Sequence, residues 1–241
     1  MLTSGTCIVA IRTPNKVVIG VDSFENVVDE VPTIVCKIGI VGDIAFATAG
    51  LSRVFDDKTF DEHFNVRDIV RSGINPRISV EKNLAQIITT LEQEANTYSA
   101  TASQTDKHDF RNGLMSRAIV LVLSRYENGM LKLEGRRLVL KPAPILIGGP
   151  DIDEIRFAVQ VLRPLRLPDL SEPEIYVAGS YDAIIQDFEY RCLMESTDFV
   201  GTVKDAISIQ AGKDGSVGGP IRIIEVTESG IRWRRAREGC V

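Results

Sequence analysis

The clearest indication of the fold comes from residues 5–23, GTCIVAIRTPNKVVIGVDS. Residues 6–12 form a short apolar run rich in β-branched side chains, and residues 17–21 form a second one, a composition typical of strands. Thr13-Pro14-Asn15-Lys16 between them has the residue types of a turn. The stretch therefore predicts a hairpin. Because nearly every position of both strands is apolar, we expect a sheet covered on both faces.

Both strands and helices are predicted after this hairpin. Strands are predicted at 34–40 and 44–49, joined by a Gly42-Asp43 turn. The spacing of apolar residues then predicts helices around 60–70 and 79–91, the second with Ser79 at its amino-terminal cap. The remaining elements are a polar loop at 97–113, a hairpin of strands 118–123 and 131–140 turning at Asn128-Gly129, a helix at 151–162, a strand at 174–178, helices at 182–194 and 199–210, and a closing hairpin of 221–226 and 231–235.

The order of these elements distinguishes between classes of architecture. Strands and helices come in blocks and do not alternate, so a parallel, doubly wound sheet is disfavoured. An α+β arrangement, with helical layers packed onto antiparallel sheets, satisfies the pattern. No internal repeat and no long linker divides the chain, so we predict a single domain.

Composition argues against several classes of function. The 241 residues are 44% hydrophobic with a formal net charge of −5, which suits a globular domain and disfavours nucleic-acid and anionic-membrane partners. No apolar run reaches the ~20 residues of a membrane helix, and no signal peptide is visible, so we expect a cytoplasmic protein. The four cysteines lack C-x-x-C spacing, which speaks against a zinc site and a disulfide framework. We expect no metal and no cofactor.

The two histidines, His63 and His108, limit the choice of catalytic base. Both lie in polar segments flanked by aspartate, which predicts surface positions. If the protein is a hydrolase, we therefore expect a general base other than histidine.

Four motifs in the first 50 residues resemble those of one enzyme family. Gly5-Thr6-Cys7-Ile8-Val9-Ala10 resembles the Gly-Thr-Thr start of proteasome β subunits and of the related bacterial peptidase ring. Gly20-Val21-Asp22-Ser23 is similar to the family's Ala-Ala-Asp-Ser, and Asp22 follows Thr6 by 16 residues, as the family's aspartate follows its threonine. Lys37-Ile38, one residue early, and Ala47-Thr48-Ala49-Gly50 match the family's lysine–isoleucine pair and its glycine-ended strand.

Two motifs in the second half of the chain extend the resemblance. Ala178-Gly179-Ser180 is similar to the family's Gly-Ser-Gly, with Tyr181 at the last glycine. The stretch Asp214-Gly215-Ser216-Val217-Gly218-Gly219 is similar to Asp-x-x-Ser-Gly-Gly, with Val217 at the serine. A further departure is Phe24, which stands where the family has an arginine. The resemblance thus spans most of the chain, and it is weakest at 97–113 and 141–174.

The resemblance implies an N-terminal-nucleophile hydrolase fold, a four-layer αββα sandwich of two antiparallel sheets. It implies a short propeptide of residues 1–5, a single hydrolase domain of residues 6–241, and an insertion at 141–174. The implied activity is that of a threonine endopeptidase that processes itself after Gly5. The implied assembly is a homo-oligomeric ring that takes unfolded peptide substrates, with room for an unfoldase or regulator as a partner.

Each residue that the resemblance marks has a chemical reason to be there. A threonine hydroxyl needs an adjacent base, and the α-amine freed at Thr6 has an ordinary pKa of about 7.7–8.0, near the working pH. A Lys37 ammonium beside it favours the neutral, basic form of the amine, and Asp22 pairs with that lysine. Gly50 is expected to direct a backbone N–H at the oxyanion. The resemblance also implies that Ser180 and Asp214 hydrogen-bond around the amine.

Three alternatives remain open at the level of sequence. Cys7 is intrinsically the better nucleophile, although its side chain points to the other face of the strand from Thr6. A catalytically silent ring or scaffold subunit of the same fold would carry many of the same residues. An amidase acting on a small amide would share the fold as well, because fold does not fix substrate.

Overall fold

The computed structural model describes residues 2–4, 6–27, 33–55, 62–141, 154–165, 173–184 and 197–235. Within these residues the strands are β1 (Leu2–Ser4), β2 (Cys7–Arg12), β3 (Lys16–Val21), β4 (Phe24–Val27), β5 (Thr33–Ile34), β6 (Ile38–Val41), β7 (Ile44–Ala49), β8 (Arg53–Phe55), β9 (Glu62–Asn65), β10 (Ile119–Glu127), β11 (Met130–Leu140), β12 (Phe157–Val161), β13 (Glu174–Gly179), β14 (Arg222–Thr227) and β15 (Gly230–Arg235). The helices are α1 (Val66–Gly73), α2 (Val80–Thr101), α3 (Gln104–Ser116) and α4 (Phe199–Lys213).

These strands form antiparallel sheets of five strands each. Sheet I has the order β13-β2-β3-β14-β15, sheet II the order β12-β11-β10-β7-β6, and sheet III, made of short strands, the order β5-β4-β1-β8-β9. The predicted amino-terminal hairpin is the centre of sheet I, with Ile8 opposite Val21 and Arg12 opposite Val17. The protein is thus a mixed α and β structure built on antiparallel sheets, as the block order of its elements predicts.

Apolar residues gather in separate clusters on the faces of sheets I and II. One cluster joins sheet II to α1, α2 and α3, a second joins sheet I to sheet II, and a third joins sheet I to α4. Strand β2 shows how the alternation of side chains feeds two of them. Ile8 and Ala10 belong to the cluster between the sheets, and Cys7, Val9 and Ile11 belong to the cluster under α4. Both faces of the hairpin are therefore covered, as predicted.

Two local signals fold as the sequence indicates. At the β10–β11 turn, Asn128 and Gly129 have φ angles of 52° and 78°, the left-handed pair that a tight hairpin turn requires. Ser79 caps α2, and its side chain accepts a hydrogen bond from the Lys82 amide at 3.3 Å. The final hairpin forms as β14 and β15, and α4 covers the predicted helix at 199–210.

Two predictions in the middle of the chain are wrong. The polar stretch 97–113 is helical, because α2 continues to Thr101 and α3 begins after the Ser103 cap. Phe110 and Leu114, four residues apart, bury one face of α3 and suffice to hold it. The helix predicted at 151–162 is instead strand β12 from residue 157, paired with β11 along the edge of sheet II. Its alternating Phe157-Ala158-Val159-Gln160-Val161 has the period of a strand.

Smaller corrections concern element boundaries and one cysteine. Phe64 lies in β9 and the helix begins only at Val66, where Asn65 caps it; Phe60 lies outside the described residues. Of the helix predicted at 182–194, residues 182–184 are helical and the rest lie outside the described part. Cys36 takes part in a disulfide bond, which the spacing of cysteines along the chain did not reveal.

None of the described helices has both the length and the apolarity to cross a bilayer.

Candidate active site

Thr6 lies just before β2, at the end of sheet I where several loops meet. Its carbonyl oxygen accepts a hydrogen bond from the backbone N–H of Ser180 at 2.8 Å. Only 3% of the residue is exposed, yet it lines a pocket of about 730 Å³ together with Gly50 and Ser180. Gly5, after which the cleavage is predicted, lies outside the described residues.

Asp22 and Lys37 form an ion pair beneath this end of the sheet. The Lys37 Nζ lies 3.4 Å from Asp22 Oδ2, and the side chains are 4% and 0% exposed. Lys37 also donates a hydrogen bond to the carbonyl of Phe24. The two residues, 15 apart in the chain, are thus brought together as the sequence motifs predict. Phe24, at the position where the family resembled by the sequence has an arginine, contributes its backbone carbonyl and not its side chain to this contact.

The Asp22 carboxylate is also held by backbone donors from three segments. Its Oδ1 accepts from the N–H of Cys7 at 2.8 Å, and its Oδ2 accepts from the N–H groups of Phe24 and Gly218, each at 3.2 Å. A buried carboxylate needs such donors because it has left water. Asp22 therefore holds the backbone at the start of β2, directly after Thr6.

Burial is the strongest influence on the protonation of this pair. It lowers the pKa of Lys37 from its ordinary 10.5, and the attraction of Asp22 opposes that shift. Burial likewise raises the pKa of Asp22, and Lys37 together with the N–H groups of Cys7 and Gly218 opposes the rise. A buried lysine whose pKa is lowered, paired with a carboxylate that holds the backbone next to a candidate nucleophile, is typical of sites that handle protons.

Ser180 and Asp214 form a second polar pair on the other side of Thr6. The Ser180 hydroxyl donates to Asp214 Oδ2, and Gln210 Nε2 donates to the Ser180 hydroxyl at 3.2 Å. Asp214 Oδ1 accepts from both the N–H and the hydroxyl of Ser216, at 2.9 and 2.7 Å. Although burial acts to raise it, the pKa of Asp214 is lowered by the hydrogen bonds from Ser180 and Ser216. Asp214 is therefore held as an ionised acceptor.

Ser216 and Gln210 are contributors that the sequence reasoning missed. Val217 stands where the family has a serine, and it is buried in the cluster under α4. Its neighbour Ser216 supplies a hydroxyl to Asp214 instead. The signal available in the sequence was the Asp-x-Ser spacing, which suits a turn in which the aspartate accepts from the residue two positions on. Gln210 gave no such signal, because its role depends on how α4 faces Ser180.

The turn at 214–218 connects the two polar pairs. Val217 donates its N–H to the carbonyl of Asp214 at 3.0 Å, and the next residue, Gly218, donates its N–H to Asp22. On the other side, Thr6 receives the N–H of Ser180 while its neighbour Cys7 donates to Asp22. The predicted residues Thr6, Asp22, Lys37, Ser180 and Asp214 thus belong to one connected network.

Gly50 and Gly179 allow the backbone to approach closely at this site. Their φ angles are +88° and +82°, in the left-handed region that favours glycine. A Cβ at Gly50 would lie 1.7 Å from the carbonyl oxygen of Ala118, and one at Gly179 would lie 1.9 Å from the carbonyl oxygen of Thr6. Any side chain at either position would displace the backbone that forms the wall of the pocket. That the Gly50 N–H serves an oxyanion stays a prediction.

Cys7 lies in an environment unsuited to a nucleophile. Its side chain is fully buried in the cluster under α4. Burial raises the pKa of the thiol, and the charges of Asp22 and Asp214 add to the rise while Lys37 opposes it. A thiol held in its protonated form and away from the pocket is poorly nucleophilic.

The other ionisable candidates lie apart from this network. His63 and His108 are exposed, as predicted, and His63 stacks on Tyr98 with ring centroids 5.6 Å apart. Within the described ranges, no three residues among histidine, cysteine, aspartate and glutamate are arranged to hold a metal ion. No protein-family model and no curated protein matches the chain. The interpretation of this site therefore depends on the arrangement of its own side chains.

Proposed function

We propose that the chain has the N-terminal-nucleophile hydrolase fold and is a self-processing threonine endopeptidase with Thr6 as its nucleophile. The observation that carries the proposal is the Asp22–Lys37 pair, which is buried and bonded to the backbone of Cys7 directly after Thr6. Ion pairs with both partners so deeply buried are costly, and a functional role explains why one is kept. The helix–sheet–sheet–helix order of the apolar clusters supports the αββα fold.

The first step of the proposed chemistry is the release of residues 1–5. The Thr6 hydroxyl oxygen attacks the carbonyl carbon of Gly5, the amide C–N bond breaks, and its nitrogen takes up a proton. This leaves an ester between Gly5 and the Thr6 side chain. Water then hydrolyses the ester, which restores the hydroxyl and leaves a free amine at Thr6.

The same two groups then serve in peptide hydrolysis. The neutral amine takes the hydroxyl proton as Thr6 Oγ attacks the substrate carbonyl, and the protonated amine returns that proton to the leaving nitrogen as the peptide C–N bond breaks. The substrate's acyl group is left as an ester on Thr6 Oγ, and water hydrolyses this ester to release the acid product and restore the hydroxyl. Positive charge on Lys37 lowers the pKa of the amine and so maintains its basic form near neutral pH. Ser180 and Asp214 would hold the amine, and Gly50 would donate its N–H to the oxyanion. Assembly as a homo-oligomeric ring around unfolded peptide substrates completes the proposal.

The proposal is tested on Thr6 itself. We expect the purified protein to have the mass of a chain that begins at Thr6. We expect Thr6→Ala to keep the mass of the unprocessed chain and to lose at least about 10³-fold in the hydrolysis of short peptides. Its circular dichroism spectrum should remain that of the folded protein, because the substitution removes little buried surface.

Cys7→Ala is the matched control, one residue away and on the opposite face of β2. We expect it to process and to hydrolyse peptides like the wild type. An active Thr6→Ala variant together with an inactive Cys7→Ala variant would transfer the role to Cys7. A wild-type protein that keeps residues 1–5 and hydrolyses nothing would instead point to a silent scaffold subunit.

A further inference from the structure

The pocket beside Thr6 is rich in arginine. Among the described residues of its lining, Arg117, Arg137 and Arg163 stand against a single acidic residue, Asp182. Three positive charges against one negative charge give this described part of the wall a net charge of +2. From this arrangement, and resting on the proposed peptidase function, we propose that the pocket selects peptides with an acidic side chain close to the scissile bond.

The arginines reach the pocket from separate elements. Arg117 caps the end of α3, where its N–H donates to the carbonyl of Gly113 at 2.9 Å. Arg137 lies in β11, directly opposite Gln160 of β12, and Arg163 follows the end of β12. Strand β12 thus brings part of the 141–174 segment to the wall of the site. Ligand-binding pockets typically bring a few polar groups together from distant parts of the chain, as this pocket does with its arginines.

The charges of these arginines are not neutralised by the protein. Across the described ranges, none of the three forms an ion pair with an acidic side chain. Arg136, the residue next to Arg137, is different: its Nη1 lies 2.9 Å from Glu134 Oε2. The positive charge at the pocket is therefore available to a ligand, whereas the charge on the other face of β11 is already paired.

The chemistry of the lining suits a carboxylate. The guanidinium group offers a planar fork of donors that matches a carboxylate in two parallel hydrogen bonds. Ser116 and Gln160 add polar groups, and Val161, Leu162 and Leu165 add apolar wall. At about 730 Å³ the pocket accepts an amino-acid side chain with part of its backbone. Because Thr6 lines the same pocket, a carboxylate bound there lies near the reacting carbonyl.

The inference is tested with pairs of internally quenched peptides that differ only in glutamate or glutamine. Each position from three before to three after the scissile bond is varied in turn. We expect at least one position at which the glutamate peptide is hydrolysed with a kcat/KM about tenfold higher, the size of one charge-assisted hydrogen bond. Raising the salt concentration should reduce this ratio, because the arginines are partly exposed.

Variants assign the preference to the pocket. Arg137→Gln and Arg163→Gln should each bring the glutamate-to-glutamine ratio toward one while the glutamine peptide is still hydrolysed. Arg136→Gln removes the same charge from the neighbouring residue outside the pocket, so its ratio should stay that of the wild type. Loss of the preference in Arg136→Gln as well would reduce the effect to the general charge of the protein and overturn the assignment.

A binding measurement separates this inference from the proposed function. In Thr6→Ala, fluorescence anisotropy should give the labelled glutamate peptide a Kd about tenfold lower than that of its glutamine partner, with no hydrolysis required. Equal affinities would overturn the inference even if the wild type is an active peptidase. If the glutamate peptide binds preferentially but the wild type hydrolyses neither peptide, the inference on the pocket holds and the proposed peptidase function is wrong.

Discussion

Two carboxylates of sheet I are almost fully buried, and the protein compensates them in opposite ways. Asp22, just after β3, is paired with Lys37, of which only 4% is exposed. Glu225, in the adjacent strand β14, is paired with Arg232 and Arg234 of β15, which are 57% and 38% exposed. In the first pair both charges have left water. In the second only the carboxylate has, and the cations remain solvated.

The pKa values follow from this difference in solvation. Burial acts to raise the pKa of Glu225, but hydrogen bonds from Arg232 and Arg234 outweigh it, so that the pKa is lowered. At Asp22, burial outweighs the attraction of Lys37 and the pKa is raised. A solvated cation stabilises a buried carboxylate at little expense, whereas a buried cation adds its own desolvation. The comparison supports the functional role proposed for Asp22–Lys37, whereas the contacts of Glu225 tie β14 to β15.

The largest expected difference between the two regions is in activity. Asp22→Asn and Lys37→Met should each lower kcat/KM for peptide hydrolysis by about 10²- to 10³-fold. Lys37→Met removes the positive charge that keeps the Thr6 amine basic, and Asp22→Asn removes the carboxylate that keeps Lys37 charged and in place. The double variant should lose little more than either single one, since the two residues act as a unit. Glu225→Gln should stay within about twofold of the wild type. Additive losses would show that Asp22 and Lys37 do separate jobs.

Stability should separate the regions as well. Asp22→Asn leaves the Lys37 ammonium buried without its carboxylate, and we expect the free energy of unfolding in urea to fall by about 3 kcal/mol. Glu225→Gln leaves arginines that water can solvate, and the loss should be about 1 kcal/mol or less. Adding Lys37→Met to Asp22→Asn should restore part of the stability, because no charge is then left unpaired in the interior. Equal losses in the two single variants would remove the distinction.

Local signals in the sequence predicted much of the fold. The apolar runs that became β2 and β3, the Asn128-Gly129 turn and the Ser79 cap each depend on residues close together in the chain, so their patterns can be read directly. Helix α3 and strand β12 were missed for a different reason. Helix α3 has few apolar residues, and tertiary packing against sheet II decides its structure over weak local preference. Strand β12 is a short apolar run, which the local pattern alone does not distinguish from part of a helix.

The candidate site divides in the same way. The Asp22–Lys37 contact was predicted from motif resemblance and not from local pattern, because the partners lie 15 residues apart. The same resemblance implied that Ser180 and Asp214 lie around the Thr6 amine, and the structure shows that these two residues, 34 apart, also bond to each other. Ser216, Gln210 and the arginines of the pocket could not be found by that route. Their roles arise only when a turn, a helix face and three distant elements are placed side by side.

The smallest expected effect is a pH dependence that belongs to Glu225. Its pKa in the folded protein is lowered below the ordinary 4.5, so the folded state binds a proton there less readily than the unfolded state does. The stability that this carboxylate contributes is therefore present above pH 4.5 and is lost as the pH falls through its lowered pKa. We expect the difference in unfolding free energy between the wild type and Glu225→Gln to shrink from neutral pH to about pH 3.

A double-mutant cycle assigns this dependence to the cross-strand pair. Arg232→Gln combined with Glu225→Gln should give a coupling of about 0.5 to 1 kcal/mol at pH 7, modest because Arg232 is exposed. The coupling should decrease as the pH falls through the lowered pKa of Glu225 and the carboxylate loses its charge. A coupling that persists or grows in acid would mean that Glu225 is held by packing and neutral hydrogen bonds. The contrast with Asp22 would then rest on burial alone and not on how each carboxylate's cation is solvated.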